Sequence, residues 1–188
     1  MLCGLKLERP GQIRPVPMKR DMDSENSGPR QPASGAMREW LWYLGTATGA
    51  AFAANWIWEM LQMSAYRDLA EKPWRQMLGP CTHAAAGDVF LTLFAYALGA
   101  AISRRWRWSC SGRPTTYFTL GILGLSVACM VEYGGLALGL WSYNEHMPLV
   151  LGTRLGVLPL AQLTLLVPLS FCAGDAARRS VFKPRSPY

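Results

Sequence analysis

Charge is scarce in this chain and unevenly placed. Only 16% of the 188 residues are Asp, Glu, Lys or Arg, and residues 1–39 hold 12 of those 31 side chains. Paired cysteine is absent as well. The five Cys (3, 81, 110, 129 and 172) form no CxxC pair and no metal-ligand spacing, which argues against a disulfide scaffold or a zinc ribbon. There is no HExxH-like helix, no Gly-rich phosphate loop and no Ser-His-Asp series, so the templates of soluble enzymes find no match. The sequence implies no cofactor. It is too apolar for disorder throughout, with 51% of its residues from AVILMFWYC.

What is present is long apolar runs. A membrane helix needs about 20 mostly apolar residues. Four runs qualify: 40–63, 81–102, 115–139 and 148–173, each with one formal charge (Glu59, Asp88, Glu132 and Arg154). They are apolar all round, whereas a soluble helix would show a polar face. The expected fold is all-α: a four-helix transmembrane bundle at 40–173, multi-pass in a bacterial cytoplasmic (inner) membrane. Residues 1–39 read as a basic arm, disordered from its Pro, Gly and Ser content, with no apolar secretory segment. Met18, Met22 and Met37 offer alternative starts. Residues 174–188 read as a basic cytoplasmic tail.

The Lys and Arg residues set an expected orientation. Seven lie in the arm to Glu39, three in 64–80, four in 103–114, none in 140–147 and four in the tail. The positive-inside rule then places both termini in the cytoplasm. Membrane lipids account for this basic charge, and a nucleic-acid partner is not expected. Trp40, Trp42, Tyr43, Trp106, Trp108, Trp141 and Tyr143 fall at the run edges, where aromatic rings favour the headgroup level. Gly45–Gly49 and Gly135–Gly139 are GxxxG pairs, expected to mark close helix packing. A homo-oligomer is left open, since four short-looped helices enclose little volume.

The four charged residues share one depth. At 1.5 Å per residue, Glu59 lies about 6 Å inside the outer end of its run, Asp88 and Glu132 about 10 Å, and Arg154 about 9 Å. Charge facing lipid costs several kcal/mol, so all four should face the interior. Asn55, Glu59, Gln62 and Tyr66 fall on one helix stripe. His83 sits near the start of the second run, and Gln162 two turns below Arg154. Trp141 and Tyr143 belong to a short loop that could cap a cavity. Three carboxylates facing one arginine leave excess negative charge in a low dielectric, which favours a protonated carboxyl usable as a general acid. The candidate catalytic residues are therefore Glu59, Asp88 and Glu132. Asn55, Gln62, Tyr66, His83, Trp141, Tyr143, Arg154 and Gln162 are the candidate substrate-binding residues. A metal set of His83, Asp88 and Glu59 lacks supporting spacing, and no metal site is assigned.

The stretch Asn55-Trp56-Ile57-Trp58-Glu59 resembles the N-x-x-W-E segment of the small membrane-bound terpene cyclases of meroterpenoid pathways. That resemblance covers this segment alone and implies that Glu59 protonates an isoprenoid epoxide or alkene. Those cyclases have more spans than the four runs here. Residues 55–168 also look like a group of uncharacterised small bacterial four-span membrane proteins. The shared features are the Trp-Glu-x-x-Gln helix, the Gly87–Asp88 pair, a Glu late in the third run, a Trp-x-Tyr loop and Leu158-Pro-x-x-Gln162. No activity comes with that likeness. Three functions fit the cluster: an intramembrane enzyme doing acid–base chemistry on a lipid or isoprenoid, a proton- or cation-coupled transporter, and a non-catalytic accessory subunit.

Overall fold

The structure, a computed structural model, describes residues 33–182. Most of the expected arm (1–32) and the end of the expected tail (183–188) lie outside the described residues. Four helices follow in order: α1 Ala33–Gln62, α2 Trp74–Ser103, α3 Pro114–Ala137 and α4 Val157–Val181. Single 3-10 turns lie at Met63–Ala65 and Trp108–Ser111. Among the described residues there is no strand, only two isolated β-bridges. α2, α3 and α4 are long and apolar enough to cross a membrane. α1 is as long as α2, at 30 residues, but Asn55, Glu59 and Gln62 make it less apolar. Four runs were expected to be spans, and three of the helices have the apolarity for it.

The helix bounds also differ from the expected runs. α1 starts at Ala33, inside the expected arm, and α4 continues to Val181, inside the expected tail. The largest shift is at the start of α4, which begins at Val157 and not at Pro148. The intervening residues are apolar yet fold as a tight hairpin. Val150 N donates to Leu155 O at 2.9 Å, and Val157 N donates to Pro148 O at 2.7 Å. Gly152 turns the chain with φ +74°, a conformation that a side chain disfavours. Apolarity alone does not separate such a loop from a helix. Pro159 then falls in the first turn of α4, where its missing N–H costs nothing.

Each helix packs on two neighbours: α1 on α2 and α4, and α3 on α2 and α4. The α2–α3 contact is the sparsest of these four. α3 and α4 approach most closely at Gly124, where a Cβ would lie 2.4 Å from the Leu163 carbonyl oxygen. α1 and α4 do the same at Gly174, whose Cβ would meet the Tyr43 carbonyl at 2.7 Å. The GxxxG pairs are not the contacts expected of them. Gly45 and Gly49 meet nothing within 4 Å. Gly135 lies under the Trp141 ring, and Gly139 ends α3 with φ +66°.

One end of the structure is closed by polar contacts. Asp175 is fully buried and receives Arg178 at 2.7 Å, Arg179 at 3.1 Å and the Tyr117 hydroxyl at 3.2 Å. Arg178 also reaches Glu39 at 2.7 Å, tying the start of α1 to the end of α4. Tyr43, expected at the headgroup level, is instead buried, with its hydroxyl 2.7 Å from Ser109 Oγ. Trp42 and Trp106 are exposed. Phe52, Phe94, Phe118, Ile122, Leu165 and Leu169 point outward from the helices, giving the apolar exterior that a lipid environment requires.

Replacing Gly124 by Ala forces α3 and α4 apart at backbone level. Overpacking of this kind costs about 1–3 kcal/mol, whereas Gly45→Ala meets open space. Thermal melts of the detergent-purified protein should show a lower midpoint for Gly124→Ala and an unchanged one for Gly45→Ala.

Candidate functional site

The 3.6-residue period brings Asn55, Glu59 and Gln62 to the inner face of α1, near its C-terminal end. Asp88 meets them from α2 and Gln162 from α4. Gln162 Nε2 lies 3.0 Å from Asn55 Oδ1, 3.0 Å from Glu59 Oε1 and 2.7 Å from Asp88 Oδ2. Gln62 Nε2 donates to Glu59 Oε1 at 2.7 Å and to Gln162 Oε1 at 3.0 Å. Trp58 Nε1 donates to Gln62 Oε1 at 3.1 Å, and Asn55 Nδ2 to Ala51 O at 2.8 Å. The Glu59 and Asp88 carboxyls are within hydrogen-bonding reach of each other.

An amide nitrogen carries two hydrogens. Those of Gln62 serve Glu59 Oε1 and Gln162 Oε1, which leaves those of Gln162 for Asn55 Oδ1 and Asp88 Oδ2. A proton shared between the Glu59 and Asp88 carboxyls would halve the charge of a pair that no cation touches among the described ion pairs.

This network forms one wall of a cavity of about 480 Å³. Such a volume lies within the range of about 300–1,000 Å³ typical of small-molecule sites. The remaining walls are mostly apolar: Leu69, Phe90, Leu91, Ala128, Val131 and Leu163. Glu132 and Trp141 close the α3 side. Tyr66 reaches the cavity from the loop after α1. Burial pushes its phenol above the ordinary range, and the Glu132 carboxylate adds to this, so it remains a neutral hydroxyl. Phe90 lines the cavity and is 69% exposed, so the cavity opens sideways past α2.

The loop 138–156 folds over this end. Arg67 N donates to Ser142 O at 3.1 Å, Asn144 N to Ala65 O at 3.1 Å, and Asn144 Nδ2 to Ser64 O at 2.7 Å. The Tyr66 and Tyr143 rings pack at 5.4 Å between centroids. These contacts hold Trp141 above Gly135, where a Cβ would collide with the indole.

The structure therefore brings together Glu59, Gln62, Tyr66, Asp88, Glu132, Trp141 and Gln162 as cavity residues. Asn55 is buried behind the wall and holds Gln162. Tyr143 does not line the cavity; it packs on Tyr66 and against Gly156. His83 is exposed and outside the cavity, because its position on α2 turns it away from Asp88. Arg154 is a correction of the same kind. It sits exposed in the hairpin before α4, so it neither lies within a helix nor offsets the carboxyls. Sequence reasoning missed Trp58, whose indole fixes the orientation of the Gln62 amide, and the apolar walls. The i,i+4 spacing of Trp58 and Gln62 was the available signal. No three His, Cys, Asp or Glu side chains form a metal-ligand group among the described residues.

No protein-family model, curated protein or solved structure matches the chain.

Gln162→Leu removes the donor shared by Asn55, Glu59 and Asp88. Each buried acceptor left unpaired costs about 1–3 kcal/mol, so this variant should melt well below wild type. The leucine at 162 retains helix propensity, and circular dichroism below the midpoint should be unchanged.

Proposed function

We propose that the protein is an integral membrane enzyme performing acid–base chemistry on an apolar lipid or isoprenoid. The observation that carries this reading is the Glu59–Asp88 carboxyl pair, held by Gln162 and Gln62 at the wall of a mostly apolar cavity. Glu59 is the proton donor, and Asp88 shares the proton and takes it back. Glu132, across the cavity, stabilises positive charge developing on the substrate. The resemblance of the Asn55–Glu59 segment to terpene cyclases points the same way. So does the sideways opening past Phe90, which suits a substrate dissolved in lipid.

In this reading the four helices form a transmembrane bundle in a bacterial inner membrane. The end bearing Arg38, Arg104, Arg105, Arg107, Arg113, Arg178 and Arg179 is cytoplasmic by the positive-inside rule. The cavity then lies in the outer leaflet half.

A carrier needs a polar route from the cavity to the other end. Between Asn55 and Tyr43 the interior is filled by Ala47, Ala51, Ala95, Leu123, Val127 and Val167. The buried hydroxyls beside that layer are those of Thr92 and Tyr96 on α2 and Ser170 on α4, and that of Ser170 donates to the Leu166 carbonyl at 2.7 Å. The apolar fill favours the enzyme over a carrier.

Lipid extracts from a bacterial host expressing wild type, Glu59→Gln or Asp88→Asn at matched membrane levels test the proposal. Mass spectrometry should show a species formed or consumed by wild type alone, with each variant reduced by about 100-fold or more, the lower range for a lost general acid. Extracts identical across the three would sink the enzyme reading.

A further inference from the structure

The cavity has a second polar corner that the Glu59–Asp88 pair leaves unused. Glu132 is only 5% exposed, and its Oε2 has no hydrogen-bond partner. Trp141 Nε1 is also buried without a partner. Both residues line the cavity. The two groups are close enough to influence one another, yet no aligned hydrogen bond joins them. The Trp141 ring rests on Gly135, with a would-be Cβ only 2.0 Å away, so the indole cannot move further towards α3. One buried acceptor and one buried donor thus face the same space.

Their chemistry restricts what can bind there. An ammonium group donates but has no lone pair for the indole N–H. An ionised phosphate or carboxylate accepts but does not donate. It would also sit beside Glu132, Glu59 and Asp88 with no Lys or Arg among the cavity residues. A hydroxyl is the smallest group that does both. We propose that the Glu132–Trp141 corner binds the neutral hydroxyl head of a long-chain alcohol. The hydroxyl donates to Glu132 Oε2 and accepts from Trp141 Nε1, and the chain lies along Phe90, Leu91, Ala128, Val131 and Leu163. Naming this alcohol as the substrate class rests on the enzyme reading; its binding does not.

The test is equilibrium binding of radiolabelled farnesol to the full-length protein in nanodiscs. The competitors are farnesol, its methyl ether, farnesylamine, farnesyl phosphate and hexadecanol. Farnesol should compete at least about tenfold better than the ether, amine and phosphate, the order expected for buried polar groups left unpaired. Equal competition by hexadecanol extends the class to straight-chain alcohols, and weaker competition confines it to isoprenoids. Trp141→Phe keeps the ring over Gly135 and removes the N–H, so it should cut the preference for farnesol over farnesylamine, which cannot accept, by about threefold or more. Glu132→Leu removes the acceptor and should abolish the preference for farnesol over its ether.

Several results would overturn the subsite. They are equal competition by farnesol and its ether in wild type, a winning amine or phosphate, no farnesol binding to folded wild type, or an unchanged preference for farnesol over farnesylamine in folded Trp141→Phe. If the preference holds while lipid extracts ignore Glu59→Gln, the enzyme reading fails and the subsite stands. The opposite pair of results removes the subsite and leaves the enzyme.

Discussion

The side-chain amide of Gln162 is the interaction on which the rest of this interior depends. It meets Asn55 and Glu59 of α1 and Asp88 of α2 from a position on α4. Polar groups in an apolar interior are costly unless satisfied, and here the Gln162 amide, with that of Gln62, serves three of them. The geometry requires α4 to sit close to its neighbours. The glycine at 124 permits this, because Leu163, the residue after Gln162, rests its backbone on it. A packing detail between α3 and α4 thereby fixes the position of a hydrogen-bond donor that faces α1 and α2. Helix packing and the candidate chemistry share one constraint.

The two ends of the structure solve the problem of buried charge differently. At the Asp175 end, a fully buried carboxylate is met by Arg178, Arg179 and Tyr117, and Arg178 extends the network to Glu39. The charge there is neutralised locally, and the network locks α1 to α4. At the cavity end, Glu59 and Asp88 accept from amides, Glu132 shares the cavity with an indole and a phenol, and no arginine or lysine lines it. A carboxyl paired with arginine is a poor proton donor, because the cation stabilises its ionised form. A carboxyl pair bridged by amides can hold a proton between its members. The contrast within one small protein separates a structural ion-pair network from the carboxyl pair to which we assign proton transfer.

Much of this was legible in the sequence, and the exceptions have physical causes. One charge per apolar run, at matched depth, pointed to the convergence of Glu59, Asp88 and Glu132, and the α1 stripe identified Asn55, Gln62 and Tyr66. Hydrophobic content failed where it is degenerate. Residues 148–156 are apolar but turn at Gly152, so Arg154 was assigned to a helix that begins only at Val157. Tyr43 sits at a run edge, like an interfacial aromatic, yet the close approach at Gly174 draws it inside. Spacing could not reveal that Gly135 serves an indole from the following loop and not another helix. Nor could it show Asp175 as the centre of a network, since its partner Tyr117, and Glu39, joined to it through Arg178, are far away in sequence.

The apolar layer between the two ends decides how the cavity can be used. Ala47, Ala51, Ala95, Leu123, Val127 and Val167 are buried there, and Ala47 faces Gly174 of α4. In the proposed reading, a proton released at Glu59 meets only single hydroxyls, those of Thr92, Tyr96 and Ser170, beside that layer among the described residues. It must return through the cavity or leave by the loop end, where Tyr66 and Trp141 stand. The loop contacts at Ser64, Ala65 and Ser142 hold those two side chains in place, which limits water at that exit. What stays open is the side past Phe90. In the proposed reading, a cavity open on that side admits a molecule that arrives from among apolar chains and returns the proton to the group that gave it, which is the cycle a general acid requires.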